Sequence, residues 1–317
     1  MINFWKGGTP VSVTVVGSLN EDVLIAVDRL PGRGETVIGG SVELAPGGKG
    51  ANQAAAAGRL GRGVHMVGRV GADAAADRQL AALADAGVNV GRVQRTPGVP
   101  TGTATIPVEQ GSGENLILVV PGANGELRPA DVDVESVPRA RVLLLQLEVP
   151  METVRAAAAA ARGTVVLNPA PAQPLPADLL AAVDVLVPNE HELAELAGVA
   201  DGERAPAELA ELARSVASGS VVVTLGARGA LVVPAGGPVL LQAPPEVTPV
   251  DTTGAGDCFC GALAQALSRG EELAAAVRYA VTAAALSTTG PGARGALPDD
   301  EAVRALLPAV PDAAPVG

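Results

Sequence analysis

Asp251-Thr-Thr-Gly-Ala-Gly-Asp257-Cys-Phe is the stretch whose residue types and spacing point most directly to chemistry. It joins a loop to an apolar helical run, Cys258 to Leu267, so Gly254, Ala255 and Gly256 fall at a helix N-terminus. The N–H groups left without intrahelical acceptors there, together with the helix dipole, make an anion site. A carboxylate beside such a site is repulsive unless it takes a proton from a nucleophile approaching the anion. Asp257 stands in that position, the arrangement that phosphoryl transfer to a hydroxyl requires. The competing reading is a Gly-rich turn with an aspartate capping the helix. A second stretch, Gly47-Gly-Lys-Gly-Ala-Asn52, precedes a helix over Gln53 to Leu60 and offers two donors, Lys49 and Asn52, on a backbone that can approach a ligand closely. It is not a Gly-x4-Gly-Lys-Ser/Thr phosphate loop. No Gly-x-Gly-x-x-Gly follows the first strand either, which lowers a dinucleotide-binding reading.

Residues so far apart in the chain must be brought together by a regular scaffold. Val11 to Gly17, Val64 to Gly68, Val142 to Leu147, Val165 to Leu167, Val185 to Val187 and Val221 to Leu225 read as short buried strands, and Ala-rich helical stretches alternate with them. That alternation predicts an α/β fold, a parallel sheet with helices on both faces. Asn20 to Leu44 and Pro100 to Val120 break it with β-type runs punctuated by Pro-Gly, Gly-Gly and Gly-Ser turns, and are expected to form one small antiparallel sheet able to cover a cleft as a lid.

Composition narrows the partners. Lys+Arg 22 against Asp+Glu 34 gives a net charge of −12, which repels phosphate backbones, and aromatic residues make up 1% of the chain, too few for base-stacking platforms. Nucleic acid is therefore excluded as an expected partner. The chain has no run of about 20 apolar residues, and around Lys6 the opening stretch lacks the apolar segment of a signal peptide. With only Cys258 and Cys260, too close together for a disulfide framework, no membrane association and a cytoplasmic location are expected. The cysteines read as helix packing, His65 as structural and His191 as a solvated helix residue.

Gly17-Ser-Leu-Asn-Glu-Asp22, Pro31-Gly-Arg-Gly-Glu-Thr36, Gly47 to Asn52, Gln146-Leu-Glu-Val-Pro150, Asn168-Pro-Ala-Pro171, Pro188-Asn-Glu-His-Glu192, Thr224-Leu-Gly-Ala-Arg-Gly229 and Asp251 to Phe259 occur in the order seen in ribokinases. Over nearly its whole length the chain resembles that branch of the ribokinase-like carbohydrate kinase family. The resemblance implies a three-layer α/β/α kinase domain over residues 1–317, with a mostly parallel central sheet and a small antiparallel β lid from approximately 20–44 and 100–120. It implies ATP-dependent phosphorylation of a sugar, D-ribose at its primary hydroxyl, with Asp257 as general base beside the Gly254, Ala255 and Gly256 anion site. Asn20, Asp22, Gly47, Gly48, Lys49, Asn52 and Glu148 would read the sugar hydroxyls. Asn189 and Glu192 would position Mg2+ through water, and Thr224, Gly226, Gly229 and Gly256 would hold ATP. Asp251, Thr253, Ser287, Gly290, Gly292 and Ala296 match a loop that binds K+, and a homodimer would form through the lid. Other acceptors on the same scaffold (2-deoxyribose, fructose, a nucleoside) are the nearest alternatives, and a non-catalytic sugar sensor is a more distant one. Three departures stand out: Val281 where a polar residue commonly lies near adenine, Gly290 for a usual Arg, and Ala296 for a usual Ser. They imply looser adenine selectivity and a weaker cation loop.

Overall fold

The computed structural model describes residues 11–316, so Phe4, Trp5 and Lys6 lie outside the described residues. In chain order the strands are β1 (Val13–Val16), β2 (Asn20–Val27), β3 (Ser41–Gly47), β4 (Val64–Gly71), β5 (Val88–Thr96), β6 (Gly102–Glu109) and β7 (Leu118–Val120). There follow β8 (Val142–Leu145), β9 (Thr164–Leu167), β10 (Val185–Leu186), β11 (Ser220–Thr224), β12 (Ala230–Val233), β13 (Leu240–Gln242) and β14 (Ala314–Pro315). The helices are α1 (Lys49–Leu60), α2 (Ala74–Asp85), α3 (Pro129–Val132), α4 (Ser136–Arg139), α5 (Met151–Ala160), α6 (Ala177–Ala182), α7 (Glu190–Leu196), α8 (Pro206–Val216), α9 (Ala255–Ser268), α10 (Leu273–Ser287) and α11 (Asp300–Leu306).

Ten strands form the main sheet in the order β14-β13-β12-β11-β10-β9-β8-β1-β4-β5. It is parallel from β11 through β5, and the last three strands are added antiparallel at one edge. Strand residues alternate between two cores. Val13, Val15, Val142 and Leu144 pack under α1, α9 and α10, whereas Val16, Leu143 and Leu145 pack under α5, α6 and α8 on the other face. Burial on both faces explains why these strands read as unbroken apolar runs. The chain passes from β1 to β4 on one side, then returns to β8 on the other side of β1. This reversal of strand order opens a crevice at the carboxyl edge, where open α/β sheets bind ligands.

The second sheet has the order β3-β2-β6-β7 and grows from the two excursions anticipated in the sequence. Each excursion is an antiparallel pair, β2 with β3 and β6 with β7. The difference from expectation lies at the seam, where β2 and β6 run parallel from Asn20↔Gly102 to Val27↔Glu109. Both strands leave the main sheet from its carboxyl edge in the same direction, so they can meet only in parallel. Strand β3 also continues to Gly47, making the Gly47-Gly48 pair the root of this sheet as well as the entry to α1.

Candidate active site

Asp257 sits in the first turn of α9, behind a left-handed Gly254 (φ 73°) that caps the helix. A Cβ on Gly254 would approach Ala293 Cβ to 2.7 Å, so glycine is needed for both the turn and the close packing of the C-terminal loop. The Ala255 N–H, expected free, instead donates to the Thr252 carbonyl at 3.2 Å, because the chain turns tightly into the helix. Gly256 follows it, exposed at the helix entrance. The Asp257 carboxylate accepts one amide hydrogen bond on each oxygen, from Asn52 Nδ2 (3.1 Å) and from Gln53 Nε2 (3.0 Å). Gln53 is itself oriented by Gln146 Nε2, which donates to its Oε1 at 2.5 Å, and Gln53 Nε2 also reaches Asn168 Oδ1 at 3.1 Å.

On the side toward the small sheet, α1 and β2 bring further polar groups to the crevice. The Asp22 carboxylate lies where a Cβ on Gly47 would fall, 2.1 Å away, so only glycine at 47 leaves room for it. Gly48 (φ 86°) turns the chain into α1. Glu148 Oε2 accepts from Ser18 Oγ (2.5 Å) and from the Lys49 backbone N–H (3.0 Å), fixing the carboxylate against the start of α1. Asn20 is buried, and its Oδ1 accepts from Asn124 Nδ2 at 2.7 Å while Asn124 Oδ1 accepts from Leu19 N–H. Arg294 enters from the C-terminal loop, donating to Asn52 Oδ1 (2.8 Å) and Gln79 Oε1 (3.0 Å). Four carboxylates, Asp22, Glu148, Glu192 and Asp257, thus surround two cations, Lys49 and Arg294. Burial, with Glu148 and Asp257 nearby, pushes Asp22 up to about 6 despite the pull of Arg294. Burial opposes the charge on Lys49, yet Asp257, Glu148 and Glu192 together hold its ammonium above the usual value. Burial lowers Arg294 to about 10, leaving it charged at neutral pH.

On the opposite side, Asn189 and Glu192 form a capping box at α7. Asn189 Oδ1 accepts the Glu192 N–H (2.7 Å), and Glu192 Oε2 accepts the Asn189 N–H (2.9 Å). The helix-start reading and the ligand reading of this pair are thus compatible, since the capped carboxylate also lines a cavity. That cavity, about 150 Å³, is bounded by Lys49, Asn168, Val187, Asn189, Glu192, Thr224, Gly254, Gly256, Asp257 and Cys260. Gly226 and Gly229 are not among its walls; they shape the turn from β11 to β12 beyond Thr224. A larger, open depression lined by Pro138, Arg141, Arg162 and Asp184 lies at the other edge of the sheet, away from these groups. In the C-terminal loop, Asp251 accepts the Thr253 and Gly292 N–H groups at 2.8 Å each, which hold its carboxyl below the usual range against burial. Ser287 Oγ is turned to the Ala284 carbonyl, and a Cβ on Gly290 would come within 2.8 Å of Ala296 Cβ. Val281 is buried in α10. Both cysteines are buried, Cys258 with its thiol pushed up to about 12, and His191 is exposed and paired with Asp201 at 3.0 Å.

Sequence reading missed Gln53, Gln79, Asn124, Asn168 and Arg294. Gln53 follows Asn52 directly, and its buried amide in an Ala-rich helix was an available signal. Asn124 lies in a single 3-10 turn, Gly122–Glu126, and Arg294 in a loop, neither long enough to show a periodicity, so only the folded chain reveals their partners.

Comparison with known proteins gives the family of the chain. Residues 11–300 match the pfkB family carbohydrate kinases. Ribokinase of Bacillus subtilis is 38% identical over 301 residues, covering 93% of this chain and 99% of that protein. Deoxyribokinase of Salmonella typhi is 35% identical over 304 residues, covering 92% and 97%. A solved structure of Arabidopsis thaliana ribokinase complexed with ribose and ATP superposes with a TM-score of 0.84 at 34% identity, covering 94% of this chain and 99% of that one. The match reaches past every group described above, and the chain belongs to the pfkB family of carbohydrate kinases.

Proposed function

We propose that this carbohydrate kinase transfers the γ-phosphoryl group of ATP to the primary hydroxyl of D-ribose, giving ribose 5-phosphate and ADP. The observation that carries the reading is Asp257, set in the first turn of α9 and aimed by two amides at a cavity it shares with Lys49 and Glu192. Asp257 takes the proton of the attacking hydroxyl. The Gly254–Gly256 turn faces the charge that develops on the transferring group, with the Gly256 N–H rather than that of Ala255 as the available donor. Asp22, Asn20, Lys49, Asn52 and Glu148 bind the sugar on the small-sheet side, with Gly47 and Gly48 shaping the wall. That sheet acts as the lid of one kinase domain, and Thr224, Gly226 and Gly229 accommodate the nucleotide. The names of relatives favour ribose, with 2-deoxyribose as the second reading.

The oxygens of Asn189 and Glu192 would position Mg2+ through water, the ion taking its remaining ligands from waters and phosphates. When bound, the ion neutralises charge on the phosphates. The Asp251 carboxylate with the carbonyls of Thr253, Ser287 and Gly292 would supply oxygen ligands of the kind K+ takes, and an ion there would brace the turn before α9, with Gly290 and Ala296 weakening the loop. KCl titration at constant ionic strength should raise kcat, and rates indifferent to potassium would remove this site. The protein is proposed to act in the cytoplasm, where both thiols stay reduced.

The test is ADP release with MgATP across ribose, 2-deoxyribose, fructose and nucleosides. Ribose should give the highest kcat/KM, and Asp257→Asn should lower kcat by roughly two to four orders of magnitude with little change in ATP affinity. Turnover of another acceptor but not ribose would overturn the substrate, and near-normal kcat in folded Asp257→Asn would overturn the base.

A further inference from the structure

Arg294 is the one cation of the C-terminal loop that reaches the sugar side of the crevice, and all of its contacts there are with protein groups. Its Nε donates to Asn52 Oδ1 at 2.8 Å, Nη1 to Gln79 Oε1 at 3.0 Å and Nη2 to the Gly47 carbonyl at 3.4 Å. A carboxamide presents an oxygen on one side and hydrogens on the other. A donor fixed on the Asn52 oxygen therefore compels the opposite edge, Nδ2, to face Asp257 Oδ2. The second Asp257 oxygen is served in the same way, since Gln146 Nε2 fixes Gln53 Oε1 and so turns Gln53 Nε2 toward Asp257. Were the Asn52 amide reversed, its oxygen would oppose the carboxylate and push it from its place. The same guanidinium reaches the root of the lid, because Gln79 Nε2 donates to the Asn20 carbonyl (2.7 Å) and the Gly47 carbonyl (2.6 Å).

We infer that Arg294 is a positioning residue, one that orients the Asn52 amide toward Asp257 and couples that orientation to the root of the lid. Burial works against the charge of the guanidinium at this place, and the nearby carboxylates of Asp22 and Asp257 offset part of that cost. The inference rests on the reading of Asp257 as the base, so its test has one arm that needs no turnover.

The first arm is a double-mutant cycle of Arg294→Met and Asn52→Ala. Each single variant should lower kcat about 10- to 100-fold, the scale for a misplaced reacting group, with the KM for ATP changed less than about threefold. The double variant should be no slower than the worse single one, because both changes remove the same orientation. Multiplied losses, or an unchanged kcat in Arg294→Met, would overturn the inference. If Arg294→Met does not fold, Arg294→Lys takes its place in the cycle, keeping the charge but not the forked geometry. The second arm is hydrogen exchange without substrates. Amides from Ala45 to Asn52 and from Asn20 to Asp22 should exchange severalfold faster in Arg294→Lys than in the unaltered protein, with α5 and α8 unaffected. Unchanged exchange at the root would overturn the coupling to the lid. Absence of turnover on any acceptor would overturn the kinase reading and leave the exchange arm to decide this one.

Discussion

Asp22 is the residue whose electrostatics most clearly set function against stability. Its carboxyl loses its proton near 3.8 when exposed and near 6 in the folded protein, held up by burial and by Glu148 and Asp257. Between those values the folded state binds more protons than the unfolded state. Stability therefore falls as pH rises through the window, and the full cost is present above pH 6. That cost is at most about 3 kcal/mol. Asp22→Asn should accordingly raise Tm at pH 8 relative to the unaltered protein, with a smaller gain at pH 4.5, while raising the KM for sugar. Thermal melts at the two pH values and sugar saturation curves check both halves, and a lower Tm at pH 8 would reject the account. At this scale most of the residues proposed to meet a ligand were legible because they lie in short runs of Gly, Asn, Asp or Lys at element boundaries. Of the amides and the arginine that orient them, Gln53 alone has a local signal, a polar residue beside Asn52 in an Ala-rich helix, whereas Asn124 and Arg294 are defined only by partners distant in the chain.

Elements place these residues through their ends. Helix α7 starts at Asn189 with a reciprocal cap, and the Glu192 carboxylate serves that cap while lining the cavity. The two duties separate by substitution. Glu192→Gln keeps an oxygen for the Asn189 N–H and should leave Tm within a degree or two, yet require far more Mg2+ for half-maximal rate. Glu192→Ala should lose about 1 kcal/mol in addition. Urea unfolding beside Mg2+ titration distinguishes them, and equal Mg2+ requirements in Glu192→Gln and the unaltered protein would remove the residue from the metal's surroundings. Short β-branched apolar runs predicted six parallel strands to within a few residues. The strand β5 and the antiparallel edge β12–β14 were less legible. Val88–Thr96 carries a register shift where it pairs with β4, and β13 and β14 are too short to repeat a pattern.

At the scale of the whole molecule the small sheet has two unlike faces. Asn20 and Asp22 of β2 point to the crevice. On the other face, cross-strand register groups Val23 and Ile25 with Val42 and Leu44 of β3 and with Leu118 and Val120 of β7. Val42, Leu118 and Val120 are 63%, 59% and 61% exposed, an apolar stripe that a soluble monomer rarely leaves bare. A homodimer through the lid, as the sequence resemblance implies, would cover it. Sedimentation of the unaltered protein should give a dimer, and Leu44→Glu with Leu118→Glu a monomer; a monomeric unaltered protein would reject the assembly. The parallel seam has a consequence in time. Asn20 pairs with Gly102 across the whole of β4 and β5, so the small sheet cannot close until a long loop has been gathered in, and long-range pairing of this kind is slow. Refolding from denaturant should recover its helical signal before it recovers ribose binding, and a nascent chain would present its apolar β2–β3 ribbon for as long as β6 has not been made. Simultaneous recovery of the two signals would place closure of this sheet no later than the main core.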